Sequence, residues 1–421
     1  MKKLLILSAA ASAVLMAGGD IAPVQPAVAP APAPVASGWD FSGQAVVYYQ
    51  TNDAGDNSLF DQESSIADFG LQLRAVNKDV FAGIGAGVEV SGLSTLGLDN
   101  WMVSDVMQNA GDLSSGWISQ MYLTYGVANT TFKLGRQELP KSLSPFAFSE
   151  GWNVFKNTFD AALVVNTDIA NTTIVGAWVA GGNYSGAFSA KRSDLTDFNS
   201  VNDDDGIYML TVQNKSIEGL TLTGTYYYAA DFANNNGVAA GTEDAHILWG
   251  DANYKFGDYC VAGQVGTIMD DDFDKYNEDD VVAFGLKAGG NFGMFDASIA
   301  YSNVNDGGVA VGSHKKGLFN VGGVKTPLYT QMILNQDAIR TDNDTFVFRA
   351  GVKALGGKFG LAYDYTSDNS SAKNDYQELD LTYKTKVFND STTLFAGYIY
   401  QDADNWTDGY STLRFWARYN F

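Results

Sequence analysis

The stretch RFWARYNF, Arg414 to Phe421, ends the chain on an aromatic residue. Leu413, Phe415, Ala417, Tyr419 and Phe421 share one parity, and Arg414, Trp416, Arg418 and Asn420 share the other. Side chains that alternate faces at every residue belong to a strand, not a helix. A chain end is ordinarily polar and frayed. This one reads as paired to its last residue, with its apolar stripe facing something other than water.

The rest of the sequence supports that reading. Charged residues make up 18% and aromatics 13%, with 22 Tyr, 25 Phe and 45 Gly. Charge is below the roughly 25% of ordinary soluble domains. Past the first twenty residues, nothing offers the roughly 18 uninterrupted apolar residues of a spanning helix. The one cysteine, Cys260, permits no internal disulfide. An exported chain without disulfides must be stabilised another way, and a closed barrel would serve.

MKKLLILSAAASAVLMAGGD has the order of a secretory leader: Lys2 and Lys3, an apolar run, then Ala17-Gly18-Gly19. Cleavage is expected before Asp20, so residues 1–19 are read as a signal peptide. Loss of two lysines would take the formal charge from -22 to -24. Such acidity argues against a nucleic-acid partner. Residues 20–38 hold five of the eight prolines and read as a periplasmic linker. Residues 39–421 are read as one domain.

Alternation predicts eighteen strands: 39–51, 65–77, 80–92, 116–127, 130–137, 159–167, 172–181, 206–214, 219–230, 244–255, 258–269, 280–289, 292–303, 344–354, 357–367, 375–387, 391–402 and 409–421. Pro140, Pro145 and Pro327 all fall between them, as a residue lacking a ladder donor should. The connections alternate short with long. Asn77–Asp79 and Phe388–Asp390 are short; 93–115, 138–158 and 304–343 are long. That is the meander of a transmembrane antiparallel β-barrel, with periplasmic turns at one end and extracellular loops at the other. The all-β fold class, eighteen strands and the bacterial outer membrane are the expectations.

Within strands, charges keep to one parity. Arg74 opposes Phe69, Leu71 and Leu73. Arg349 and Lys353 oppose Phe346 and Phe348. Glu378 and Asp380 oppose Leu379 and Leu381. A cation facing lipid at the bilayer midplane costs about 2–4 kcal/mol, so the charged parity is assigned to the lumen. Arg74, Lys133, Arg349, Lys353, Glu378, Asp380, Arg414 and Arg418 are the expected pore wall. Trp39, Trp117, Trp178, Trp249 and Tyr226 to Tyr228 suit interfacial girdles.

Eighteen strands enclose a water-filled bore unless something narrows it. The candidate is ELPKSLSPFAFSEGWNVFKNT, residues 138–158. Exposed loops seldom need four large aromatics, and Phe146, Phe148, Trp152 and Phe155 could hold it against the wall. Glu138, Lys141, Glu150 and Lys156 would then reach the constriction. Acids facing a basic wall order permeating solutes. Net acidity leans the expected selectivity weakly towards cations.

Three stretches resemble the major outer membrane porins of Campylobacter-type bacteria, the Opr family. They are QMYLTYG (Gln120–Gly126), KLGRQELPKSLSP (Lys133–Pro145) and NKSIEGLTLTG (Asn214–Gly224). The resemblance implies eighteen strands, a homotrimer and passive diffusion of small hydrophilic solutes. Terminal Phe421, with Phe415 and Tyr419, also resembles the signal read by the barrel-assembly machinery. Membrane lipid and lipopolysaccharide are further expected partners. A substrate-selective channel of the same architecture, or a loop-plugged adhesive barrel, remains an alternative.

Asp270, Asp272 and Asp274 have the spacing of a calcium-loop opening. Lys275 replaces the obligatory Gly and Val281 the bidentate Glu, so only a looser structural Ca²⁺ site is compatible. No other cofactor is expected. Histidine occurs only at His246 and His314, with no partner motif for a nucleophile, so no enzymatic activity is expected.

Overall fold

The computed structural model describes residues 38–104, 114–151, 154–183, 195–202, 205–230, 244–270, 279–307 and 326–421. The leader, most of the proline-rich stretch, Trp152, Asp272 and Asp274 lie outside these residues. So the calcium reading there is represented only by the backbone of Asp270, which ends a strand.

The described residues form eighteen long strands. In chain order they are β1 (Asp40–Asn52), β2 (Ser65–Phe81), β3 (Ile84–Ser94), β4 (Ser114–Val127), β5 (Thr130–Gln137) and β6 (Phe159–Asn166). Then come β7 (Thr172–Gly182), β8 (Ile207–Asn214), β9 (Leu220–Ala229), β10 (Ala245–Phe256), β11 (Tyr259–Asp270) and β12 (Val281–Phe292). The last six are β13 (Phe295–Val304), β14 (Asn343–Ala354), β15 (Gly357–Asp368), β16 (Tyr376–Val387), β17 (Thr392–Ala403) and β18 (Tyr410–Asn420). A two-residue strand, Asn199–Ser200, pairs with the top of β7. Each long strand pairs antiparallel with the next, and β18 pairs with β1, so the sheet is a closed barrel.

Closure answers the question raised by the C-terminus. The register runs from Asn52 opposite Thr412 to Gln44 opposite Asn420. Beyond it, the Gly43 N–H donates to the Phe421 carbonyl at 2.8 Å and the Phe421 N–H to the Gly43 carbonyl at 3.0 Å. The chain is hydrogen-bonded to its final residue, and Phe415, Tyr419 and Phe421 lie exposed on the outer face.

Short turns close one end and long connections the other. One turn differs from expectation: β2 continues to Phe81 instead of stopping near Asn77. Asn77, Lys78 and Asp79 form an irregularity in the ladder, where the Asp79 N–H donates to the Asn77 side chain. The reversal falls at Ala82–Gly83, both with positive φ. A two-residue hairpin needs that conformation at both positions, and glycine supplies it without strain.

The outer face is a band of exposed apolar and aromatic side chains, and the lumen face carries the charges. Trp117, Tyr227 and Trp249 depart from the girdle reading. They face inward and pack under the long connections. Trp178, Tyr226 and Tyr228 stay on the outer parity.

Candidate functional site: a lumen narrowed by two inward segments

The described residues of 138–158 fold into the barrel. Phe146 packs edge-to-face on Tyr227 and Trp249, with ring centroids 5.6 and 5.5 Å away. Its backbone N–H donates to the Tyr227 hydroxyl at 3.2 Å. Val154 and Phe155 bury against Val46, Tyr48 and Leu93 of β1 and β3. The loop therefore bridges two sides of the bore, one anchor on β7–β12 and one on β1–β4. Aromatics this large, fully buried, hold a segment by burial and ring geometry together.

A second segment, 326–341, also folds inward. Met332 packs on Val347 and Ala362, and Ile333 and Leu334 on Ile399. Its backbone is tied to wall charges. The Leu334 N–H donates to Glu378 Oε1 at 2.9 Å, and Arg349 Nη2 donates to the Gln331 carbonyl at 2.8 Å. Asn335 Nδ2 donates to Asp364 Oδ2 at 2.8 Å. The sequence reading took 304–343 only as a long loop and missed this role. The clue was the apolar run Met332-Ile333-Leu334, which has no strand alternation around it.

The two segments meet. Lys141 Nζ donates to the Thr326 carbonyl at 3.1 Å, and Phe146 and Leu328 share one buried cluster. Burial pushes the Lys141 ammonium down to about 8, against the pull of Glu150 and Asp251.

This rearranges the expected wall. Arg349, Arg414, Glu378 and Asp380 are on the lumen side but only 1, 0, 0 and 1% exposed. The inward segments roof Arg349 and Glu378, and Arg414 donates to Gln50 Oε1 at 2.9 Å. They brace the constriction and do not line it. Glu150 is buried too, with its N–H on the Asn157 side chain, and Lys141 is half-buried.

Among the described residues, two groups of accessible charges stand out on the lumen face. In the first, Arg74 pairs with Glu89 at 2.6 Å and approaches Glu138 at 3.6 Å, while Lys156 pairs with Glu138 at 2.8 Å. Lys133 adjoins them, 3.8 Å above the Tyr122 ring. Thus Glu138, Lys156, Arg74 and Lys133 come together from a loop and two strands; Glu89 completes the cluster and was not singled out from sequence.

The second group is a lateral row on the lumen face. Lys353 opposes Lys358, Lys358 opposes Lys384, Lys384 opposes Phe395, and Phe395 opposes Trp416. Phe395 and Trp416 stack at 5.2 Å. Lys384 and Arg418 lie 5.6 and 5.4 Å from the Trp416 ring. Lys358 pairs with Asp296 at 2.7 Å. Like charges directly opposite one another on a sheet are destabilising, and Asp296 meets the charge of the middle lysine only.

No family model matches the chain, and no curated protein matches it. Solved structures do. OpdK of Pseudomonas aeruginosa, crystallised with vanillate, is 12% identical with a TM-score of 0.68, over 91% of this chain and 98% of that one. OccK9 (OpdG) of the same species is 15% identical with a TM-score of 0.69, over 91% and 98%. Acinetobacter baumannii OccAB2 is 15% identical with a TM-score of 0.67, again over 91% and 98%. At such identities the likeness is one of fold. It bears out the eighteen-stranded barrel of outer-membrane channels and does not extend to the Campylobacter-type family in particular.

Proposed function

We infer that the chain is an outer-membrane channel through which small hydrophilic solutes diffuse, with a preference for small carboxylates set by a lysine row on its lumen face. The observation that carries this is the row Lys353–Lys358–Lys384 ending on the Phe395–Trp416 stack, inside a barrel narrowed by two inward segments. A carboxylate relieves the repulsion between lysines, and stacked rings offer a face to an aromatic or apolar body. The neighbour crystallised with vanillate, an aromatic carboxylate, supports the same solute class.

The weak cation preference expected from net charge competes with this. Acidic residues away from the constriction set the field at the mouth, but the accessible lumen groups are mainly basic. On this reading the lysine row sets the sign. No catalytic role is proposed. Membrane lipid, lipopolysaccharide and the assembly machinery are proposed partners, the last through Phe415, Tyr419 and Phe421.

Planar-bilayer conductance of the folded protein in a KCl gradient tests the proposal. Steady openings are expected, with a reversal potential on the anion side and concentration-dependent block by benzoate. A cation-side reversal that Lys384→Glu leaves unmoved would reject the carboxylate preference while keeping the channel. Closed traces from protein with an intact β spectrum would reject both and favour a plugged adhesive barrel.

A further inference from the structure

The charges of the barrel are divided along its axis. Leaving aside the inward segments, the connections at the long-loop end are 53–64, 95–113, 183–206, 230–244, 271–280, 305–325, 369–375 and 404–409. Together they hold 25 Asp and Glu against 7 Lys and Arg. Among their described residues Asp56, Asp61, Glu63, Asp279, Asp280 and Asp404 are exposed, and Lys373 is the one cation.

The lumen near the short-turn end carries the other sign. Lys353, Lys358, Lys384, Lys386 and Arg418 share the inward parity of β14, β15, β16 and β18. Lys353 and Lys386 are exposed and the other three half-buried. Lys255 adds an exposed cation from β10, on the parity of Trp249 and Asp251. Asp296 offsets one of these charges through its pair with Lys358. The short turns themselves are mixed in sign, with Lys215 and Glu218 in one and Asp390 in another. The basic field therefore belongs to the lumen wall and not to the rim.

The narrowing separates the two zones. Arg349, roofed by 326–341, is four residues from Lys353 along β14. Glu378, covered by the same segment, is six residues from Lys384 along β16. At about 3.4 Å per residue and a tilt of about 40°, the basic stretch stands about 10–16 Å on the short-turn side of the covered charges. The acidic connections lie on the other side.

A charged wall concentrates ions of the opposite sign. Cations therefore gather at the acidic mouth and anions in the basic vestibule. A voltage positive on the long-loop side drives both towards the narrowing, and the ion concentration there rises. The reverse voltage draws both away and depletes it. We propose that the channel is an ionic rectifier, passing more current when the long-loop side is positive. This rests on the channel reading and goes beyond it: a lysine row alone selects which ion passes, whereas two opposed zones also give the current a favoured direction.

Single-channel recording in symmetric KCl tests the proposal. Ser58→Cys in a Cys260→Ser background carries biotin on the exposed β1–β2 connection, so streptavidin added to one chamber reports which end of the barrel faces it. In 0.1 M KCl the current should be about twofold larger with the long-loop side positive than at the equal and opposite voltage. In 1 M KCl the ratio should fall towards one, because the Debye length shrinks from about 10 Å to about 3 Å. Lys353→Gln/Lys358→Gln/Lys384→Gln should remove most of the asymmetry at low salt. Equal currents at both polarities in 0.1 M KCl, a reversed asymmetry, or a ratio that the folded triple variant leaves unchanged would overturn the rectifier and leave the channel standing. Silence at both polarities would overturn the channel reading and the rectifier with it. If the triple variant lacks the heat-modifiable gel mobility of a folded barrel, the polarity and salt dependence of the biotin-labelled protein still decide.

Discussion

The two inward segments narrow the same lumen by different means. Residues 138–158 are held by side-chain burial: Phe146 on Tyr227 and Trp249, Val154 and Phe155 on the β1–β3 wall. Residues 326–341 bury Met332, Ile333 and Leu334 as well, but their backbone is in addition gripped by wall charges: Arg349 on the Gln331 carbonyl, Glu378 on the Leu334 N–H. Hydrophobic anchoring is non-directional and tolerates reshaping. Buried charge is directional and fails when one partner is removed. One architecture therefore has one forgiving constriction and one brittle one.

The largest effect should come from the brittle side. Arg349→Met removes a buried cation that feels the charges of Asp380, Asp364 and Glu378. Breaking a buried charge network costs about 3–5 kcal/mol. Urea unfolding in detergent should register that loss, and single-channel conductance should rise as 326–341 detaches. Wild-type conductance together with wild-type stability would show that the backbone grip is not what holds the segment.

Phe155→Ala attacks the other anchor. Truncating a buried Phe costs about 3 kcal/mol or somewhat more. Because Phe146 holds the far end independently, conductance should rise less than in Arg349→Met and with more open-state noise. Equal or greater conductance in Phe155→Ala would invert the comparison.

The same contrast explains what was legible. Eighteen strands could be read because alternation, turn residues and proline placement repeat a local rule. The C-terminus was read correctly because its stripe is local as well. Phe146, Phe148 and Phe155 stood out by type, since aromatics in a loop need a reason. Segment 326–341 did not stand out. Gln331, Asn335 and Thr330 look like an ordinary polar loop, and their partners Arg349, Asp364 and Glu378 lie on strands that are distant in sequence. Arg349 and Glu378 lie on the inward parity of their strands. That they are covered depends on a loop fold no periodicity encodes.

Lys141 touches both segments, so its titration probes the contact between them. Its ammonium falls from 10.5 in the unfolded chain to about 8 in the barrel. Between those values the unfolded state binds more protons, so stability contributed by this group rises with pH from about 8 to about 10.5. Below 8 both states are charged and the burial penalty is fully present. The difference in unfolding free energy between wild type and Lys141→Met should shift across that window in favour of wild type, by about 1–3 kcal/mol. A difference independent of pH would mean that the ammonium is solvated and that the segments do not close over it.

The smallest effect on stability, and the most informative for permeation, is expected at Glu138. It is accessible, and its pairing with Lys156 at 2.8 Å and with Arg74 at 3.6 Å is partly solvated. Such pairs contribute about 0–1 kcal/mol, so Glu138→Gln should unfold almost as wild type does. It should still move the reversal potential further to the anion side, because Lys156 and Arg74 then face the passage less neutralised. Arg349→Met and Glu138→Gln thus separate two jobs that one loop-narrowed lumen combines. If both outcomes hold, buried charges fix the shape of the opening and accessible ones choose what passes. A Glu138→Gln barrel that lost stability but kept its reversal potential would place Glu138 with the bracing charges and leave the lysine row alone to set selectivity.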